Sequence, residues 1–241
     1  MTDFLCIGAQ KSGTTLLYEH LKNINELYLP ERKELHHYDS DINFYKGKEF
    51  YFDFFKSANT NQLKGEITPA YLYFDFVPRR IKETVGKNLK FIILLRNPID
   101  RAYSQYNMSK LKQGHEHLSF EEALIYEPYR LKTIESKRNF SYLDRGFYSK
   151  QILNYYKYFN KKQFKIILYE SFVKEQNKYV NEILDFLCLN KQVDIENKII
   201  FENNYPPMKS STRKLLEQIY MDEMNYLENI IDIDLSIWKE K

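Results

Sequence analysis

Near its start the chain runs Phe4-Leu5-Cys6-Ile7 with no polar residue, reaches Gly8, and turns through Ala9-Gln10-Lys11-Ser12-Gly13 into an amphipathic stretch from about Thr14 to Asn23. That is a strand, a tight loop and a helix. An apolar run without alternation is what a strand covered on both faces requires, as in a parallel sheet. A second such run, Lys90-Phe91-Ile92-Ile93-Leu94-Leu95, ends at Arg96-Asn97-Pro98, and Pro98 suits the first turn of a helix reaching about Lys112 and stopping near Gly114. Ser119-Phe120-Glu121-Glu122 has the capping-box spacing and opens another helix expected to end before Pro128. Further patterns predict a helix from Gly146 to Phe159 with Tyr148, Ile152, Tyr155 and Phe159 on one stripe, and strands near Lys64-Gly65 and over Phe164 to Tyr169. Helices are also predicted over Lys178 to Leu189 and Ser211 to Ile230. Strands alternating with helices imply an α/β fold: a single domain over residues 1–241 with a central parallel β-sheet flanked by helices. Ligands of such sheets sit at the carboxyl ends of strands, so the residues after Gly8, Leu95 and the strand at Lys64-Gly65 are the places to search.

Composition narrows the function classes. Lys plus Arg number 36 against 33 Asp plus Glu, a net charge of +3 with no long block of like charge, which argues against a nucleic-acid-binding tail. Charged residues at 29% and hydrophobic ones at 43% argue against a disordered or membrane-embedded chain. The bias is aromatic, with 21 Tyr and 17 Phe against one Trp. Cys6 and Cys188 lie far apart, which disfavours a disulfide framework or a metal knuckle. No basic leader and no apolar stretch of about 18 residues is present, and a cytoplasmic protein without a transmembrane segment is the expectation.

The loop Gly8-Ala9-Gln10-Lys11-Ser12-Gly13-Thr14-Thr15 reads as a phosphate cradle. Glycines allow the tight turn, N–H groups at the helix start point at an anion, and Lys11 adds a mobile positive charge. The plainer alternative is a solvated turn in which Ser12 or Thr14 caps the helix. The loop departs from G-x-x-x-x-G-K-[ST], since Thr14 stands where that lysine belongs and the lysine has moved to Lys11. Arg96 follows the second apolar strand, where an ATPase or kinase often places a carboxylate for magnesium. Both departures favour a phosphate-bearing nucleotide used without metal.

With Arg96-Asn97-Pro98-Ile99-Asp100-Arg101-Ala102-Tyr103-Ser104-Gln105-Tyr106, about 80 residues beyond the Lys11 loop, the chain resembles the sulfotransferases that use 3′-phosphoadenosine 5′-phosphosulfate (PAPS). The segments Lys33-Glu34-Leu35-His36-His37-Tyr38, Gly65-Glu66-Ile67-Thr68-Pro69-Ala70-Tyr71-Leu72, Val77-Pro78-Arg79-Arg80, Arg145-Gly146-Phe147-Tyr148 and Tyr169-Glu170 resemble the branch containing heparan sulfate sulfotransferases. The likeness spans about Phe4 to Glu170 and implies a P-loop-like sulfotransferase fold.

The resemblance implies that Lys11, Ser12, Gly13, Thr14 and Thr15 hold the phosphosulfate, and that Arg96 and Ser104 hold the 3′-phosphate. Lys11 would stabilise the leaving oxygen and Glu66 would be the general base, unless Glu66 is only the ion-pair partner of a neighbouring cation. Lys209 or Arg213 would replace the basic residue absent at Asn203-Asn204, or Ser211 would simply cap the last helix. Lys33, His36 and Tyr71 are acceptor candidates, and Tyr38, Tyr45 and Tyr73 are aromatics for stacking or core packing. His36 and His37 are the competing bases. The family often has lysine where this chain has Ile67, which bears on the acceptor.

The implied reaction moves a sulfuryl group from PAPS to a hydroxyl or amine of a saccharide or glycoconjugate, leaving adenosine 3′,5′-bisphosphate (PAP), with no metal. A metabolite or lipid acceptor is the alternative within that chemistry. An atypical P-loop kinase using ATP and magnesium, and a nucleotide-binding module without turnover, are the alternatives outside it.

Overall fold

The computed structural model describes residues 2–86, 88–198 and 205–239. Five strands, β1 (Phe4–Gly8), β2 (Leu27–Tyr28), β3 (Leu63–Ile67), β4 (Lys90–Leu95) and β5 (Phe164–Leu168), form one sheet in the order β2-β3-β1-β4-β5. Every pairing is parallel, so the expected parallel sheet with flanking helices is present. β2 is an addition, because two residues are too few to show a period.

Burial explains the unalternating runs. All of β1 is buried, and all of β4 except Lys90. Phe4, Cys6, Ile92 and Leu94 enter one apolar cluster with Leu17 and Leu21 of the helix Thr14–Leu21 and Val180, Ile183 and Leu184 of the helix Gln176–Phe186. Side chains alternate across a strand, so Phe91 faces the other way, stacking on Phe164 at 4.7 Å and meeting Tyr155 and Phe159. Tyr148, Ile152, Tyr155 and Phe159 are all buried, as their stripe implied.

The chain divides into two compact units, Met1–Leu95 with Gln151–Phe201, and Arg96–Lys150 with Glu202–Lys241. The first contains the sheet. The second is helical, with helices Pro98–Asn107, Phe120–Arg130, Ile134–Phe140 and Ser210–Ile231. Its interior holds the fully buried Arg101, which donates to the Tyr142 carbonyl and to Gln105. Buried Glu127 accepts the N–H groups of Leu143 and Asp144, both at 2.7 Å.

Three boundaries differ from expectation. The helix from Pro98 is α-helical only to Asn107 and closes with a π turn over Met108–Lys112. The helix Phe120–Arg130 runs through Pro128, which lies in its last turn, where one lost hydrogen bond disturbs little. Gly146 belongs to a 3₁₀ turn ahead of the helix Tyr148–Tyr156, and a Cβ there would lie 2.2 Å from the Tyr220 hydroxyl, so the position favours glycine. Among the described residues no helix is long and apolar enough to cross a membrane.

Candidate active site

The loop leaving β1 is shaped by its backbone. Lys11 (φ 69°) and Gly13 (φ 84°) are left-handed, and a Cβ on Gly13 would lie 2.7 Å from the Tyr169 ring. Gly13 is the N-cap of the helix Thr14–Leu21 and no side chain caps it, so neither Ser12 nor Thr14 performs the ordinary capping role. Ser12 is fully buried, and its Oγ has no hydrogen-bond partner among the described residues. Buried polar atoms are nearly always paired, and the first N–H groups of a helix lack acceptors within it. An anionic oxygen seated here would satisfy both, so the loop fits a phosphate or sulfate group. Thr14 is buried, while Lys11 and Thr15 are partly exposed.

Glu66 lies on the strand beside this loop, since Leu5 of β1 pairs with Glu66 of β3. Strand alternation sends Glu66 and Ile67 to opposite faces, and Ile67 joins the apolar cluster. Where the family often carries lysine, this chain packs core. Glu66 is 1% exposed. Its Oε1 accepts the hydroxyls of Thr68 (2.6 Å) and Tyr71 (2.7 Å), and its Oε2 accepts the Tyr51 hydroxyl (2.8 Å). Hydroxyls therefore take the place of the ion-pair partner considered above. Burial raises the pKa of Glu66 and outweighs the lowering effect of these hydrogen bonds, so the carboxylate is more basic than an exposed one.

Tyr71, expected at the acceptor, is fully buried instead. Its hydroxyl oxygen accepts the His37 N–H at 2.9 Å while its proton goes to Glu66, so it supports the carboxylate. Tyr38 is likewise fully buried, whereas Tyr45 is 79% exposed.

The segment from Lys33 to Asp39 brings charges together. Lys33 Nζ lies 2.5 Å from Glu34 Oε1, His36 Nε2 lies 3.6 Å from Glu34 Oε2, and His36 Nδ1 faces both carboxylate oxygens of fully buried Asp39 at 3.2 and 3.0 Å. For Glu34, burial acts to raise the pKa, but the His36 hydrogen bond and the Lys33 charge bring it down to about 2. For His36, burial acts downward, but Asp39 and Glu34 raise it to about 9. His37 is pushed down to about 4 by burial and the Arg80 charge, and it stacks on Tyr51 at 4.8 Å. At neutral pH, His36 is thus a cation without a free lone pair, and His37 is a buried, weakly basic ring. Neither suits the role of base. Glu34, Asp39, Tyr51 and Thr68 were missed as site residues. The Lys-Glu-x-His-x-x-Asp spacing was the available signal for the first two.

In the helical unit, Arg96 follows β4 directly, and its carbonyl accepts the Tyr148 hydroxyl at 2.9 Å. Asn97 caps the next helix, its side chain accepting the Ile99 N–H at 3.0 Å, and Ser104 is buried on that helix. Lys209 pairs with Glu121 at 3.3 Å, and Arg213 pairs with Asp100. Asn203-Asn204 lies outside the described residues. Ser211 falls within the helix Ser210–Ile231, whose N-cap is Lys209, so Ser211 does not cap it.

Residues 1–228 match the family model described as a sulfotransferase domain. The chain belongs to the sulfotransferase family. The sulfotransferase of Alicyclobacillus acidocaldarius, known as a crystal structure, is 26% identical with a TM-score of 0.82, covering 100% of this chain and 99% of that one. The Mus musculus bifunctional heparan sulfate N-deacetylase/N-sulfotransferase 4 is 27% identical over 95% of this chain and 30% of its own length. The Mus musculus heparan sulfate glucosamine 3-O-sulfotransferase 5 is 28% identical over 81% and 61% respectively. This sulfotransferase chain thus aligns with less than two thirds of either mouse relative. A mouse sulfotransferase, SULT7A1, solved as a complex with PAP, shares the fold at 18% identity and a TM-score of 0.52.

Proposed function

We propose that the chain transfers a sulfuryl group from PAPS to a hydroxyl or amine of a saccharide. The observation that carries this reading is the buried, unpartnered Ser12 Oγ in a left-handed loop at a helix N-terminus, the setting an anionic donor oxygen needs. The heparan sulfate enzymes among the relatives support a saccharide acceptor.

The step is an in-line displacement. A bond forms from the acceptor oxygen or nitrogen to sulfur while the bond from sulfur to the bridging phosphate oxygen breaks, and PAP departs with the electron pair. Lys11 and the N–H groups of Gly13 to Thr15 neutralise charge on that oxygen. Arg96 and Ser104 bind the 3′-phosphate, with Lys209 and Arg213 as further cations. Glu66 takes the acceptor's proton. Its Oε1 already receives two hydroxyls, whereas Oε2 receives one among the described residues, so Oε2 has the lone pair for that proton. Lys33 and His36 lie on the acceptor side.

The test is PAP release from PAPS with unsulfated glycans, phenols and lipids offered in parallel. Release with glycans is the expected result. Release with phenols or lipids alone would move the acceptor to those classes, and none with any acceptor would leave a binding module.

A further inference from the structure

After the helix Ser210–Ile231 the chain turns at Asp232, which is left-handed with φ 55°, and passes into a 3₁₀ turn over Ser236–Trp238. Local bonds fix this turn. The Leu235 N–H donates to Glu228 Oε1 at 2.9 Å, and Asp234 accepts both the N–H (2.8 Å) and the hydroxyl (2.9 Å) of Ser236. Leu235 is fully buried and Trp238, the sole tryptophan, is 4% exposed. The turn lies beyond residues 1–228, which the family model matches. Its contacts converge on Arg96 and Asn97. Asn97 Nδ2 donates to the Trp238 carbonyl at 3.0 Å while Asn97 Oδ1 accepts the Ile99 N–H at 3.0 Å, so one buried side chain ties the turn to the helix Pro98–Asn107 that carries Ser104. The Trp238 ring lies 6.3 Å from the Tyr148 ring, whose hydroxyl donates to the Arg96 carbonyl at 2.9 Å.

We propose that the turn Ser236–Trp238 positions the donor's 3′-phosphate site: the Trp238 carbonyl orients Asn97, the Trp238 ring backs Tyr148, and these two set the backbone from which Arg96 and Ser104 reach the phosphate. This rests on the reading of Arg96 and Ser104 as 3′-phosphate contacts. Trp238 acts through Asn97 and Tyr148 and is therefore a positioning residue. Anion contacts need their supporting side chains locked, because a small misplacement of a charged group forfeits much of its bond to the ligand.

Calorimetry with PAP and with adenosine 5′-monophosphate, which lacks the 3′-phosphate, tests this alongside tryptophan fluorescence, where a single Trp leaves the signal unambiguous. In the unmodified protein PAP should bind more tightly than the monophosphate, and only PAP should shift the Trp238 emission. Asn97→Ser keeps a residue that caps helices well and adds no charge, but it removes the donor to the Trp238 carbonyl. It should weaken PAP about tenfold, the value of one hydrogen bond to a charged group, and leave the monophosphate within about twofold. Trp238→Ala should give the same selective loss, and serves if Asn97→Ser does not fold. PAP affinity unmoved in these variants, equal weakening of both nucleotides, or a PAP complex with unshifted Trp238 emission would overturn the proposal. If PAP binds the unmodified protein no more tightly than the monophosphate, the 3′-phosphate reading itself fails and the proposal falls with it.

Discussion

Ser12 and Glu66, proposed for the donor and acceptor sides, differ in their hydrogen-bond satisfaction. Ser12 Oγ has no partner to lose, so Ser12→Ala should leave thermal stability within about 0.5 kcal/mol. The same variant should weaken PAP binding about tenfold by calorimetry, the value of one hydrogen bond to a charged group. Glu66 is saturated on one oxygen and desolvated throughout. Its raised pKa places the acid limb of kcat above the ordinary carboxylate value of 4.5, with the rate falling as protons occupy the base. Glu66→Gln should lower kcat on the order of a hundredfold to ten-thousandfold and leave PAP affinity intact; an unaltered acid limb in that variant would assign the base elsewhere. The sequence could nominate Ser12 because its loop is short and follows an apolar strand, and Glu66 through the resemblance of its segment to the family. It could not reveal that Tyr71 turns inward or that Asp39 pairs with His36, because both depend on how a loop of non-periodic residues docks.

The elements were most legible where burial is two-sided. β1 and β4 announce themselves as apolar runs because each lies between two covered faces, and β3 showed mainly through Lys64-Gly65. β2, the π turn Met108–Lys112 and the continuation through Pro128 escape a periodic reading, since each is settled by neighbours rather than by local preference. Gly65 shows how tightly β3 is set: a Cβ there would lie 2.0 Å from the fully buried Phe4 ring. Gly65→Ala should destabilise the protein by about 1–3 kcal/mol in denaturant unfolding, since a packed ring has nowhere to retreat. A loss near zero would mean that β1 and β3 can separate, and with them the donor loop and Glu66.

Across the whole molecule, 36 basic and 33 acidic residues leave little net charge, so anion recognition has to be local. Balanced charge favours a weakly charged acceptor over a long, heavily sulfated one. An unsulfated glycan precursor should therefore bind more tightly than its sulfated product, as competition assays would show. On the proposed reading the loop after β1 holds the phosphosulfate end of PAPS, and PAP, the product left behind, binds in the same place. Calorimetric titration with PAP and, separately, with ATP and magnesium tests it most directly, using Lys11→Ala as the comparison. Metal-independent PAP binding that Lys11→Ala weakens, with little heat from ATP, is the expected result; tighter binding of ATP with magnesium than of PAP would overturn the assignment.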